Sequence, residues 1–192
     1  MALNNLNYER EPAKRVFAAE LREASKTIKD EHDEKSPVYL LLPTGEKCNR
    51  ILISGTITYK DKIGEQNVIH RARVSDITGI FYISASSYQK NAMEQLSDID
   101  TENPSYVVVV GKPNAYTTPD GKTLISVRAE SIRVVDQQTR NLWIQDAARA
   151  TLDRADALEK GELPDAKLAA EVYTFTPEHW RKMAYNALSS IL

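Results

Sequence analysis

Between residues 50 and 136 the chain carries five strand-like runs and one helical run, and the helical run falls between the third strand and the fourth. RILISGTITYKD, VIHRARVSD and IFYISASSY come first. KNAMEQLSDI follows, with Ala92, Leu96 and Ile99 on one side of a helix. SYVVVVGKPNAYTT and TLISVRAESIRVVD close the series as a hairpin over Pro119–Asp120–Gly121, which is strong turn chemistry. The second and third strands alternate. Ala72 and Val74 face one way, Arg71 and Arg73 the other; Phe81, Ile83 and Ala85 share a face opposite Tyr82 and Ser84.

Gly55 interrupts the first strand, as glycine does at a bulge or at a barrel corner. A bent first strand and a helix between strands three and four fit a mainly β fold with helices, a small five-stranded Greek-key barrel of the OB type. A sandwich would want more strands and no helix there. Strands two and three are joined by Asp76–Ile77–Thr78–Gly79. Asp and Thr can hydrogen-bond their own backbone in such a turn, and the glycine is expected to supply a positive φ.

The flanks differ from the barrel. Residues 1–36 read as a short helical arm and a charged linker ending in KDEHDEKSP. Glu11–Pro12 looks like a helix start, and Phe17, Leu21, Ala24 and Ile28 then fall at helical spacing. SPVYLLLPTG reads as a short buried strand closed by a turn, so the barrel unit is placed at 37–136. Residues 137–192 read as helical. A long helix over 137–160 has no glycine or proline, and its stripe comprises Trp143, Ile144, Ala147, Ala148, Leu152 and Ala155. After the Gly161–Pro164 break, 165–192 read as a small helical tail. There Thr176 caps, Pro177 occupies the first turn and Glu178 suits the helix dipole.

Composition excludes more than it assigns. Net charge is −2, and acidic and basic side chains balance within 50–136, so any contact with nucleic acid must come from a local patch. No run approaches the ~20 apolar residues of a membrane-spanning helix. The N-terminal MALNNLNYEREPAKR lacks the apolar stretch of a signal peptide, and a cytoplasmic protein is expected. One cysteine, Cys48, offers no internal disulfide and reads as a small packing residue. His32, His70 and His179 are scattered. With no phosphate loop, nucleophile elbow or metal-ligand cluster, no enzyme and no cofactor is expected.

Taken in order, SGTITYKD, ARVSDITGIFYISA, a short helix, YVVVVGKPNAY and TLISVRAESIRVVD with a long helix after it resemble the middle subunit of replication protein A. The chain is more similar still to the archaeal replication-protein-A-associated family, through RVFAAE and SPVYLLLPTGEKCNR as well. The resemblance covers about residues 10–160, and its most specific pieces are Asp76–x–Thr78–Gly79 and Val110–Gly111–Lys112–Pro113. It implies an OB barrel that binds single-stranded DNA in replication and repair, assembled with a larger replication-protein-A subunit. A third small OB-fold subunit is a further partner it allows. Two features depart from the family. Where the eukaryotic subunit has a base-stacking tryptophan at the end of strand three, the nearest aromatic here is Tyr88, about two positions late. The segment after residue 165 is also short for that subunit's winged-helix recognition module.

The expected single-strand contacts follow from alternation and strand ends. Arg71 and Arg73 leave the core side of strand two, and Arg128 does so on strand five. Lys60 and Lys112 lie in or next to loops, and Tyr59, Tyr88 and Tyr116 sit near strand ends. The resemblance gives Tyr116 the place of a second stacking aromatic. Singly, each such residue is as readily a solvated strand arginine or a rim tyrosine; the interleaved set points to bases stacked on rings and phosphates held by cations. Two stacks and a few phosphate contacts leave roughly micromolar binding or weaker for the chain alone. Tethering beside another DNA-binding barrel would raise it through effective concentration. The stripe from Trp143 to Ala155 is either packing against the chain's own barrel or an assembly face for a partner helix; the family resemblance favours assembly. A protein–protein scaffold with little DNA contact and an RNA-binding barrel are the competing readings.

Overall fold

The alternating runs form strands, and the strands close into a barrel. A computed structural model describes residues 10–29 and 36–192. In chain order the elements are β1 (Lys14–Arg15), α1 (Ala18–Glu23), β2 (Lys26–Ile28), β3 (Tyr39–Leu41), β4 (Lys47–Cys48), β5 (Ile51–Ile63), β6 (Ile69–Ser75), β7 (Ile80–Ser86), α2 (Lys90–Asp98), β8 (Tyr106–Thr117), β9 (Thr123–Val135), α3 (Gln137–Lys160), α4 (Ala166–Val172) and α5 (Pro177–Ser189). A 3₁₀ turn at Ser87–Gln89 links β7 to α2. Strands β5, β6, β7, β9 and β8 pair in that order, and β8 returns to β5 to complete the ring. Every pairing in the ring is antiparallel except β7 with β9. This is the five-stranded OB topology that the order of runs predicts.

The inward positions of the alternation make the core: Ile53, Ile57, Val74, Phe81, Ile83, Val107, Val109 and Val127 are all buried. Helix α2 packs against β6, β7 and β9, burying Ala92 and Leu96, with Ile99 just beyond its end. Gly55 stands where β5 changes partner, since Thr56 pairs with both Tyr106 of β8 and Ser75 of β6. A Cβ there would lie 2.3 Å from the Ser75 carbonyl oxygen and 2.7 Å from its carbon. Backbone cannot yield as a side-chain tip can, so Gly55→Ala is expected to destabilise the barrel by about 3 kcal/mol, read as a fall in the urea midpoint. The β5 bulge lies further on, at Thr58, between Ile57 and Tyr59. It resets the alternation, so Ile57 points inward while Tyr59 is exposed.

The N-terminal arm departs from its expected form. The helix spans only Ala18–Glu23, and no helix begins at Glu11–Pro12. Lys14 and Arg15 instead pair in parallel with Ile51 and Leu52 of β5. Lys26–Ile28 pairs with β3, and β4 completes a small separate sheet in the order β2–β3–β4. Residues 37–49 therefore pair outside the barrel, whose strands run from Ile51 to Val135. The apolar spacing of the arm still serves burial: Val16, Phe17, Ala18, Leu21 and Ala24 are all in the core. Most of the charged stretch before Ser36 lies outside the described residues.

The Asp76–Gly79 turn has a second task. Asp76 accepts hydrogen bonds from the Thr78 and Gly79 amides (2.6 and 2.9 Å), as its sequence suggests. Its other oxygen accepts from the Ala18 amide at 2.8 Å, and the Thr78 hydroxyl accepts from the Ala19 amide at 3.0 Å. Helix α1 has no side-chain cap of its own, so the hairpin turn caps it from 58 residues away. Burial pushes the Asp76 carboxyl up, against the pull of these donors. Gly79 does not adopt a positive φ.

The three C-terminal helices lie where the sequence puts them. Asp136 caps α3 by accepting from the Thr139 amide at 2.8 Å, Gly161 ends it at φ 69°, and Thr176 with Pro177 opens α5. Helices α3 and α5 pack as a pair, and Arg181 reaches Asp156 and Glu159, both at 2.6 Å. The Tyr173 hydroxyl accepts from the Ser25 and Lys26 amides and donates to the Leu41 carbonyl, tying the tail to the small sheet. Among the described residues no helix is long and apolar enough to cross a membrane.

Candidate nucleic-acid interface

Strand register brings the polar residues of the outer wall into rows. Tyr59 pairs with Arg73, and Arg73 with Tyr82. One step along, Asp61 pairs with Arg71, Arg71 with Ser84, Ser84 with Arg128 and Arg128 with Lys112. Paired residues share a face of the sheet. The second row therefore carries five side chains across β5, β6, β7, β9 and β8. The Thr58 bulge makes the rows possible, because without it Tyr59 and Asp61 would point into the core.

Two clefts open along these rows. The first, about 400 Å³, is lined by Tyr59, Arg71, Arg73, Tyr82, Ser84 and Ser126, with Ile63 and Ile69 alongside. The Arg73 guanidinium lies over the Tyr59 ring, 5.0 Å from its centroid. Arg71 donates through Nε to Asp61 at 2.9 Å and through a terminal nitrogen to the second Asp61 oxygen, and the Tyr59 hydroxyl donates to Asp61 at 3.2 Å. The Arg71 hydrogen bonds hold the Asp61 carboxyl below the usual carboxylate range.

The second cleft, about 540 Å³, is lined by Arg10, Tyr88, Gln89, Lys90, Lys112, Arg128 and Glu130. Glu130 is paired with Arg50 at 2.8 Å. The side chains of Arg10, Lys112 and Arg128 make no ion pair or hydrogen bond among the described residues, and Tyr88 is 92% exposed. Free cations beside an open aromatic ring, in one concavity, can take phosphate oxygens and an unstacked base together.

Six of the eight expected contacts thus lie in these two clefts: Tyr59, Arg71 and Arg73 in the first, Tyr88, Lys112 and Arg128 in the second. Tyr116 is exposed but sits in a third, apolar groove with Leu21, Ile80, Leu124 and Tyr82. Tyr82 lines both that groove and the first cleft. Lys60 is a correction. Its ammonium donates to the carbonyls of Leu96, Ser97 and Ile99, so it caps the C-terminal end of α2 and is not held out for a phosphate.

The stripe on α3 is also a correction. Trp143, Ile144, Ala147, Ala148 and Ala155 are buried within the chain, and Leu152 packs against the same core. The Trp143 indole donates to the Leu52 carbonyl at 2.9 Å and meets the Phe17 ring edge-on at 5.5 Å. The alanines let α3 come close to its own barrel and to α5, so the stripe is covered by the chain itself apart from part of Leu152.

Three contributors escaped the sequence reading. Tyr82 had a visible signal, since it alternates against Phe81 and Ile83. Lys90 could have been suspected from its place just beyond Tyr88. Arg10 had none, because only the folded arm carries it to the second cleft. Elsewhere, burial pushes the Cys48 thiol up to about 12, which fits a packing residue. Among the described residues no group of His, Cys, Asp and Glu is arranged to hold a metal ion.

No protein-family model matches the chain, and no curated protein sequence does. Solved structures do. A chain of a replication protein A heterotrimer bound to ssDNA superposes with a TM-score of 0.54 at 18% identity, over 75% of this chain and 98% of that one. A structure of yeast Stn1 and Ten1 is more distant, with a TM-score of 0.44 at 11% identity over 57% and 55%. The first likeness establishes a shared OB fold.

Proposed function

We propose that this chain is an OB-fold subunit of a heteromeric complex that binds single-stranded DNA, an accessory subunit of the replication-protein-A kind. The observation that carries the proposal is the second cleft, where the Arg10, Lys112 and Arg128 side chains converge, without an ion-pair partner among the described residues, beside the exposed ring of Tyr88. Cations that no carboxylate among the described residues neutralises are poised for an anion, and the tyrosine adds a surface that any base can stack on. The first cleft continues the path with Tyr59, Arg73 and Tyr82. Support for a heteromer comes from the replication protein A heterotrimer with which the fold is shared, and from charge. At a net charge of −2 the chain lacks the field of a stand-alone binder and gains most from tethering to a second barrel. The larger subunit of such a complex is the expected partner.

Fluorescence anisotropy with an oligothymidylate of about 15 nucleotides, across a salt series, tests this directly. The chain alone is expected to bind at roughly micromolar affinity or weaker, and more weakly as salt rises. Arg128→Gln is expected to lower affinity and to flatten the plot of log K against log salt by about 0.7, the slope of one phosphate contact on a single strand. Tyr88→Ala is expected to cost about 1–3 kcal/mol, one base stack, with the slope unchanged. If neither variant alters binding of the chain or of its complex with the larger subunit, the chain is a scaffold and the proposal fails. Tighter binding of the matching RNA would assign the cleft to RNA instead.

A further inference from the structure

We infer that Asp61, by neutralising Arg71, divides the outer wall into a stacking half around Tyr59, Arg73 and Tyr82 and a more cationic half around Arg10, Lys112 and Arg128, and so restrains the chain's hold on a single strand. The inference rests on the single-strand reading above. Within the row Asp61–Arg71–Ser84–Arg128–Lys112 there is one carboxylate, and it stands beside the first of the three cations. Both Asp61 oxygens accept from Arg71, through Nε at 2.9 Å and through a terminal nitrogen, and the Tyr59 hydroxyl adds a bond to one of them at 3.2 Å. The guanidinium fork is therefore taken. An arginine grips phosphate best through that same fork, two parallel N–H donors to two oxygens.

Arg71 keeps its flat face, which stacks on a base as an aromatic ring does, while its remaining N–H donors lie beside the Asp61 charge. Stacking responds little to salt. Arg128 stands two strand spacings away in the same row, about 10 Å, and has no such partner among the described residues. Phosphate recognition is thus weighted toward the second cleft, and the first cleft, where Arg71 is neutralised and Arg73 lies on the Tyr59 ring, favours bases. A phosphate brought to Arg71 would have to lie beside the Asp61 charge or displace it from the fork.

The experiment compares the full chain with Asp61→Asn and with the double variant Asp61→Asn/Arg71→Gln, using the same labelled oligothymidylate and salt series. Asp61→Asn keeps the size of the side chain and frees the Arg71 fork. It is expected to tighten binding about fivefold at low salt and to steepen the salt slope by about 0.7, one added phosphate contact. The double variant restores the local charge balance and is expected to return affinity and slope to those of the unaltered chain. Thermal melts of all three, expected to coincide within a few degrees because both side chains are exposed surface partners, exclude misfolding as the cause. If the unaltered chain binds and Asp61→Asn binds equally or more weakly, the inference is overturned while the single-strand reading stands. The same holds if the double variant keeps the gain, for then Arg71 is not its source. If neither the unaltered chain nor Asp61→Asn binds in a salt-dependent way, both fall together.

Discussion

Arg154→Ala is expected to destabilise the protein by about 3–5 kcal/mol. Arg154 and Glu20 are both buried, and Glu20 is fully so. Arg154 donates to the Glu20 oxygens at 3.1 and 2.8 Å, and to the hydroxyls of Thr44 and Thr151 at 3.1 and 3.2 Å. Thr44 in turn donates to Glu20. The cluster joins α1, the β3–β4 turn and α3, segments that lie 110 and 134 residues from one another's partners along the chain. Removing the arginine leaves a fully buried carboxylate without its counter-charge, held by the Thr44 hydroxyl alone among the described residues. That penalty, and not the lost attraction, dominates the cost. For a chain of this length it corresponds to a fall in Tm of about 10 °C or more. Replacing the pair with apolar residues, Glu20→Leu with Arg154→Met, is expected to recover at least half of the loss, because no charge is then stranded. A urea titration of the three proteins measures both effects. An Arg154→Ala midpoint close to that of the unaltered chain would show that water reaches Glu20.

Trp143→Ala is expected to cost about 3–5 kcal/mol as well, for a different reason. Its ring fills space between α3, Phe17 and β5, and its indole satisfies the Leu52 carbonyl. Truncation opens a cavity and leaves that acceptor without its donor. The effect should appear as loss of near-ultraviolet circular dichroism at lower temperature. Had α3 been a free assembly helix, the same change would leave the barrel's melting untouched and act only on a partner. The two outcomes are opposite in a single melting curve. The ordinary charged substitutions at Trp143 or Ile144 would therefore unfold the chain before they could report on assembly.

The contrast shows which kinds of information the sequence holds. Periodicity places Trp143, Ile144, Ala147, Ala148, Leu152 and Ala155 on one face of α3 and requires that face to be covered. It does not say by what. An apolar stripe is equally satisfied by its own barrel or by another chain, since burial is indifferent to covalent connection. Likewise, the charge of Lys60 and Arg71 is visible in the sequence, but the carbonyls of α2 and the carboxylate of Asp61 that occupy them are not. Lys60 reaches partners 36 to 39 residues on, and Arg71 one that lies 10 residues back across a hairpin.

What the residues determined by themselves is local: the order of strands and helix, the inward and outward parity of β6, β7 and β9, the turn at Pro119–Gly121 and the limits of α3 and α5. These follow from backbone sterics and from side-chain spacing within a few residues, so no knowledge of the distant chain is needed. Tertiary structure alone decided the rest. Closure of the barrel turned Gly55 into a point of contact and Thr58 into the bulge that exposes Tyr59 and Asp61. Folding of the arm brought Arg10 beside Lys112 and Arg128, and made the Asp76 turn the cap of a helix 58 residues away. Each of these depends on which segments meet. That is settled by the packing of the whole core, to which every strand contributes and which no single stretch encodes.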